Sequence, residues 1–422
     1  MKKDIQQTRL DSGLTILTDY MQGVRSATLG FFYRFGSRNE PEDLNGISHF
    51  IEHTVFKGTA KRTALDIAIE TDRLGGNLDA FTTHDETGFA IKVIDDRVEQ
   101  AFDLISDMLV NPRFDEKELE SEQRVIIEEM KMIDDSPEEY LGDLFHKAFF
   151  PGHPLGLNIA GTPKTVRSFD HAVTQTYHKQ AFNASNLVIA AAGNVEHQAI
   201  VDLASSRFTV SGESHLTPLT VPKTSAPILI KRSRDLEQAH IMIATPLVSA
   251  KSEKRYAADL LTNIIGGGTS SRLWQKIREE RGLAYSVGAS AVMFQDCGFF
   301  SIFAGASPEK TEEVLDVSID EMRSLVNSGV TADELDLAKQ QTVASILLNL
   351  EDSAARASAM AHSELTHGRQ IPLAETLGNI DAVTTDDIQA IAQEFFRTEN
   401  VAFAALGNLN GLEVVRDRLA IS

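Results

Sequence analysis

The chain has 422 residues, 42% of them hydrophobic and 24% charged, which is enough for two or three cores at about 150 residues each. Its 61 acidic and 40 basic side chains give a formal net charge of −21 without a lysine- or arginine-rich stripe. That balance argues against nucleic acid or an anionic membrane as the main partner and favours cationic or neutral substrates. The opening MKKDIQQTRLDSGLTIL has two lysines but no apolar stretch behind them, and no run of about 18 apolar residues occurs, so the expectation is a cytoplasmic chain with no membrane span. The single cysteine, Cys297, excludes an internal disulfide and CxxC sites, so any metal must use histidines and carboxylates.

In chain order, GLTILTDY and ATLGFFYRFG read as strands rich in β-branched and aromatic residues. A helix is expected from about Ile47 to Phe56, ending at Lys57-Gly58, and a second over TALDIAIETDRLGG, with Thr63 as its cap and Gly75 as its stop. NLDAFTT and TGFAIKVI form two strands joined as a hairpin by His84, Asp85 and Glu86, followed by helices near 96–110 and 115–133 and a loop at FFPGHPLG. Adjacent antiparallel strands mixed with helices give an α+β fold rather than a doubly wound sheet.

The chain also repeats itself. QAFNASNLVIAAAGNV returns as QEFFRTENVAFAALGNL, with Phe182, Asn186, Gly193 and Asn194 each 214 residues before Phe396, Asn400, Gly407 and Asn408. FKGTAKR and GGGTSSR are offset by 210. The three prolines and many hydroxyls of TVSGESHLTPLTVPKTSAP mark an extended linker, so the expected organisation is a domain at 1–208, a linker at 209–228 and a repeat domain at 229–422.

The sharpest chemical signal is His49-Phe50-Ile51-Glu52-His53, an H-x-x-E-H pattern expected by chance only about 0.03 times in such a chain. Positions i, i+3 and i+4 share a helix face, so two imidazoles and a carboxylate converge, a half-site that suits zinc with an open position. Glu52 can then take a proton from the attacking water. A third ligand is needed, and DEKELESEQRVIIEEMKMI offers Glu122 and Glu129, seven apart on one face. Val125 and Ile126 lie between them, so this face should point inward. A buried carboxylate pair then needs a cation or imidazolium to offset its desolvation. One glutamate on zinc, with the other accepting a ring N–H from a ligating histidine, meets that need. The other histidines, including His84, His146, His153, His240, His362 and His367, lack partners at ligand spacing and read as surface or capping residues, and Trp274 reads as packing.

GISHFIEHTVFKGT, LGGNLDAFTTHDET, RVIIEEMKMIDDSPEE, HPLGLNIAGT and SSRLWQKIREERGLAYSV together resemble the pitrilysin/insulinase family of zinc peptidases, the inverzincins, and especially its mitochondrial processing peptidase β-subunit branch. The resemblance implies two homologous α/β sandwich domains in a clamshell, with one Zn2+ per chain held by His49, His53 and Glu129. It also implies Glu52 as general base and Glu122 beside a ligand histidine. In R-x-x-x-x-L-x-Y it assigns Arg278 to a substrate carbonyl or to orienting Tyr285, and Tyr285 to the developing oxyanion. Asp79 stands where many relatives have Asn. With Ala80, Phe81 and Thr82 it lies on the strand to which the resemblance implies that an extended peptide adds.

The second half carries Asp259, Thr262 and Asn263 where the motif residues would fall, and is expected to be non-catalytic. Gly266-Gly267-Gly268 lacks a trailing Gly-Lys-Ser/Thr and reads as a turn, not a nucleotide site. The resemblance implies a homodimer or a pairing with a related subunit around a chamber. Basic peptides would suit an acidic chamber, with Glu139 and Asp143 as candidate contacts for a substrate arginine. The alternative is a catalytically silent or partner-dependent structural or peptide-binding subunit of the same family.

Overall fold

Strand runs rich in β-branched and aromatic residues alternate with capped helices along the chain, and they sort into two compact units. The structure, a computed structural model, describes residues 5–209, 216–233, 235–409 and 411–421; Lys2 and Lys3 of the opening segment and residues 210–215 of the expected linker lie outside the described residues. One unit comprises Met1–Met132, Leu157–Leu219 and Leu347–Gln370; the other comprises Ile133–Gly156, Thr220–Ile346 and Ile371–Ser422.

The first unit is built on a six-stranded sheet of β1 (Gln6–Arg9), β2 (Thr15–Tyr20), β3 (Ser26–Tyr33), β4 (Leu78–Thr82), β5 (Thr87–Ile94) and β6 (Leu187–Gly193). The strand order is β1-β2-β6-β3-β5-β4, with β2 and β6 parallel and the other neighbours antiparallel. Its helices are α1 (Ile47–Thr54), α2 (Ala64–Leu74), α3 (Val98–Val110), the long α4 (Glu116–Asp135), the short α6 (Pro163–Val166), α7 (His171–Ala181), α8 (His197–Arg207) and α12 (Ser353–His367). Thr63 accepts from the Asp66 N–H and Gly75 closes α2 in the left-handed region, as the cap and stop residues require.

One sheet face packs Leu29, Phe31, Phe89 and Ile91 against helix residues such as Phe50, Phe102 and Ile105. On the opposite face Leu17, Phe32, Val188, Ala190 and Ala192 meet Ala357, Met360 and Ala361 of α12. Small side chains on both partners let the helix backbone approach the sheet closely.

In the second unit, β7 (Ile228–Arg232), β8 (Ala239–Leu247), β9 (Ala284–Met293), β10 (Gly298–Ala306) and β11 (Ala402–Gly407) form a sheet in the order β7-β11-β8-β10-β9. α9 (Arg255–Gly266), α10 (Thr311–Ser328), α11 (Ala332–Asn349), α13 (Leu373–Ala382) and α14 (Thr385–Phe395) follow the same plan. α5 (Pro137–Phe149) covers the other face, setting Phe145 and Phe149 against Ala402 and Ala404. The repeat read from the sequence is a structural one, since α7 and α14 begin 214 residues apart and each leads into a central strand. Those strands end at Gly193 (φ 119°) and Gly407 (φ 145°), where a side chain would meet the backbone of the neighbouring strand. Thus each sheet has several helices on one face and one on the other, and that one comes from a distant stretch of the chain.

α12 is tied to its sheet by Glu364, which is fully buried and accepts from Arg9 Nη2 at 2.6 Å and Arg34 Nη2 at 3.2 Å. Glu364→Ala removes the carboxylate that Arg9 and Arg34 share, leaving Arg34 its bond to the main-chain carbonyl of residue 364 at 3.3 Å; because both arginines reach solvent, screening holds the expected loss to about 1–2 kcal/mol. The check is a lower urea midpoint for Glu364→Ala, with a much smaller change for Arg25→Ala, whose guanidinium is largely exposed in its pair with Asp95 at 2.8 Å.

Candidate metal centre

α1 carries the H-x-x-E-H residues on one face, with Phe50 and Ile51 buried in the core on the other, so packing fixes which way the polar face looks. His49 and His53 stand one turn apart with ring centroids 4.6 Å from each other. From α4, Glu129 Oε2 lies 3.9 Å from His49 Nε2 and 3.7 Å from His53 Nε2. One donor atom from each of these three residues falls within 4.8 Å of the other two. That Glu129 oxygen is buried and has no hydrogen-bond partner. An oxygen without a donor facing two imidazole nitrogens is the donor set of a three-ligand zinc site, and so the residues fit the metal that the motif implies.

The surroundings support those ligands unequally. His53 Nδ1 is 3.3 Å from Glu122 Oε2, while Lys57 Nζ holds the other Glu122 oxygen at 2.8 Å. Burial works against the Glu122 charge, but the contacts with His53 and Lys57 outweigh it and keep the carboxyl below its ordinary pKa. Burial also lowers His53, yet the Glu122 hydrogen bond and the Glu129 and Glu52 charges raise it overall. His49, more deeply enclosed and beside His53, is pushed down to about 4, and its buried Nδ1 has no partner. Glu52 is raised by burial against a 2.6 Å hydrogen bond donated by the Thr82 hydroxyl to its Oε2.

The structure brings His49, Glu52, His53, Glu122 and Glu129 together in the first unit. Of the four strand residues, Thr82 alone bonds to the motif. β4 pairs with β5 on one side and forms the sheet edge, and its alternation sets Ala80 and Thr82 on the face opposite to Asp79 and Phe81. Phe81 packs beside Phe32, with ring centroids 6.2 Å apart, and Asp79 is exposed.

Two expectations are corrected here. Ile126 is fully buried but Val125 is 47% exposed. With about 100° per residue, Ile126 lies on the core side of Glu122 and Val125 on the far side, so the glutamates mark the border of the buried face. Val125 and Met132 instead line an open depression of about 480 Å³ whose wall includes His53 and Glu129. His84 is buried, bonding the Ser37 hydroxyl at 2.9 Å, because the hairpin tip is tied by main-chain bonds to the Ser37–Asn39 turn.

In the second unit Arg278 sits in a π-helical turn, Trp274–Glu279. Its guanidinium donates to the Tyr285 carbonyl at 3.0 Å and lies over two rings, 4.1 Å from the Trp274 centroid and 4.3 Å from that of Tyr285. Trp274 is therefore more than core packing. It is half-buried, stacks on Arg278 and donates from Nε1 to Glu279 at 3.0 Å. The R-x-x-x-x-L-x-Y spacing marks the arginine and tyrosine but not the ring one turn upstream. Tyr285 is 76% exposed. Glu139 and Asp143 lie on α5, also in this unit, the first exposed and the second half-buried. At the positions matching the metal motif, α9 has Asp259, Thr262 and Asn263, and the described residues hold no second cluster of metal-capable side chains.

A family model described as insulinase (peptidase family M16) matches residues 15–163, and one described as the peptidase M16 inactive domain matches residues 168–342. A Streptomyces coelicolor protein named as an uncharacterized zinc protease is 37% identical over 400 residues, spanning 92% of this chain and 87% of its own. A Bacillus subtilis protein of the same description is 33% identical over 402 residues, spanning 95% and 98%. Among solved structures, a protease from Helicobacter pylori has a TM-score of 0.89 at 22% identity over 96% of this chain and 99% of its own. The peptidase M16 inactive domain from Pseudomonas fluorescens has 0.88 at 20% over 96% and 98%. Both share the fold.

Two outcomes follow from the geometry. After exhaustive dialysis, elemental analysis should find zinc in the wild type and essentially none in Glu129→Gln, with Glu122→Gln retaining the ion about ten- to a hundredfold more weakly. Trp274 is the chain's single tryptophan, so removing the stacked cation with Arg278→Ala should shift its emission to longer wavelength with an unchanged far-ultraviolet spectrum.

Proposed function

The chain belongs to the insulinase family of peptidases, family M16, and from that premise we propose that it is a zinc-dependent endopeptidase in which Glu52 is the general base. The observation that carries the reading is the partnerless, buried Glu129 oxygen aimed at Nε2 of both His49 and His53. When bound, zinc supplies a Lewis acid that polarises the scissile carbonyl and lowers the pKa of water.

The chain's own residues do the rest. Thr82 occupies one Glu52 oxygen and leaves the other to accept a proton from the attacking water. Burial raises Glu52 above an ordinary carboxyl, which makes it a stronger base and lets it hold the proton long enough to pass it to the leaving amine. Glu122 accepts from His53 Nδ1–H and so keeps Nε2 as the free lone pair.

Arg278 and Tyr285 are assigned to the substrate carbonyl and its developing negative charge. The support within their own unit is a guanidinium held in place by two rings and a carbonyl, next to an exposed tyrosine. The free edge of β4 offers main-chain donors and acceptors to an extended peptide, a mode that recognises backbone rather than sequence. One zinc per chain and a pairing with a second copy or related subunit belong to the same proposal.

The test uses a quenched basic peptide. Wild-type protein with zinc should cleave it, and Glu52→Gln should lose at least about a thousandfold in kcat while keeping its zinc. Zinc retained by a wild type that cuts nothing would overturn the enzymatic reading in favour of a binding subunit.

A further inference from the structure

α1 opens without a side-chain cap from its own N-terminal residue, as α3, α8 and α9 also do. α2, α6 and α14 each open on a threonine whose hydroxyl accepts a main-chain N–H within its own first turn. α1 instead has Gly46 at that position, with φ 97° and no side chain to cap the turn. No side chain fits there, because a Cβ would stand 2.5 Å from the Ala160 carbonyl oxygen and 2.8 Å from Gly161 Cα. Gly161 is equally constrained, with Asn45 O 2.3 Å from where its Cβ would be, and Asn45 Nδ2 donates to the Asn158 carbonyl at 3.0 Å. The close crossing of these two loops removes the usual source of a cap.

Glu40 replaces it from six residues upstream. Its Oε2 accepts from Gly46 N–H at 2.7 Å and from Asn45 Nδ2 at 3.4 Å, and its Oε1 accepts from Ser48 N–H at 2.8 Å. The residue is 4% exposed, and among the described residues no lysine, arginine or histidine forms an ion pair with it. Burial raises the Glu40 pKa to about 7 against the bonds from the Ser48 and Gly46 amides, the Ser48 hydroxyl and the Asn45 side chain, so this carboxyl is costly compared with an ordinary hydroxyl cap. Its two oxygens, however, fix two N–H groups at once, and the second belongs to Ser48, the residue next to His49. Ser48 is held again through its hydroxyl, 3.1 Å from that of Tyr177.

We propose that Glu40 is a positioning residue for the metal centre, clamping the first turn of α1 so that His49 is aimed at the point where His53 and Glu129 converge. This rests on the zinc reading above. It also gives His49, whose Nδ1 has no partner of its own, the orientation that Glu122 gives His53.

The experiment measures Zn2+ affinity of the full chain by competition with a chromogenic chelator, well below the unfolding temperature. In Glu40→Gln one oxygen becomes an NH2 group that faces an N–H donor, and the expected result is about tenfold weaker zinc binding. Thr63→Ala is the control, because it removes a cap from α2, which carries no metal ligand, and should lower thermal stability without changing zinc affinity. Glu40→Gln with lowered stability and wild-type zinc affinity would mean a merely structural cap and overturn the inference. Should Glu40→Gln fail to fold, Glu40→Asp keeps the charge but shortens the reach to Ser48, and the same tenfold loss supports the proposal while wild-type affinity overturns it. A wild type that binds no zinc overturns the metal reading itself, and this inference with it.

Discussion

The charge balance around α1 is the constraint on which the rest of the site depends. Glu52, Glu122 and Glu129 bring three carboxylates to one helix face, and Lys57 is the one lysine or arginine among the described residues that pairs with any of them. Two negative charges are left over in a partly enclosed place, where burial already raises Glu52 and the neighbouring acids already raise His53. Protonating His53 offsets part of that excess. A divalent cation offsets all of it, leaves both imidazoles neutral and satisfies the Glu129 oxygen that has no hydrogen bond.

The same architecture occurs twice with different chemistry, which separates what the fold requires from what the site requires. α1 packs beside β4 and α9 beside β9, and both helices bury an apolar face, with Phe50 and Ile51 in one case and Leu260, Leu261 and Ile264 in the other. The polar faces differ. Where the first unit has two histidines and a glutamate, the second has Asp259, Thr262 and Asn263, and Thr262 turns its hydroxyl back onto the Ala258 carbonyl at 2.8 Å. The second unit therefore has the same sandwich without the metal motif, so the architecture does not require the motif.

What could be read from the sequence alone was whatever is local in the chain. The H-x-x-E-H spacing, the Thr63 cap with its Gly75 stop, the β4–β5 hairpin and the 214-residue repeat each depend on residues within a few turns or on direct self-similarity. Features set by tertiary contact were not legible. Which sheet face α5 and α12 cover is set by packing against distant strands, which helical periodicity does not carry. Periodicity put Val125 on the inner face because helical phase cannot locate the border of burial to within one residue. His84 and Trp274 were missed for a related reason: their partners, the Ser37 turn and the Arg278 guanidinium, become visible only when loops and a π-turn have been placed. Glu40 lies only six residues before Gly46, where its helix is capped, yet nothing in its spacing marks a cap, because the need for it arises from the Gly46–Gly161 crossing.

Thr82 links the two parts of the proposed chemistry. It is the last residue of the edge strand β4, and its hydroxyl holds the base. A peptide added along that edge would form main-chain bonds with the strand whose side chain orients Glu52, so docking and base alignment would share one rigid element instead of relying on two independent loops. The antiparallel pairing of β4 with β5, from Leu78↔Ile91 to Thr82↔Thr87, keeps that strand in register, and Phe81 and Gly88 interlock across it. A β4 strand loosened by substitution would then harm catalysis and peptide binding together, whereas loss of the Thr82 hydroxyl alone would leave the edge intact and change only the base.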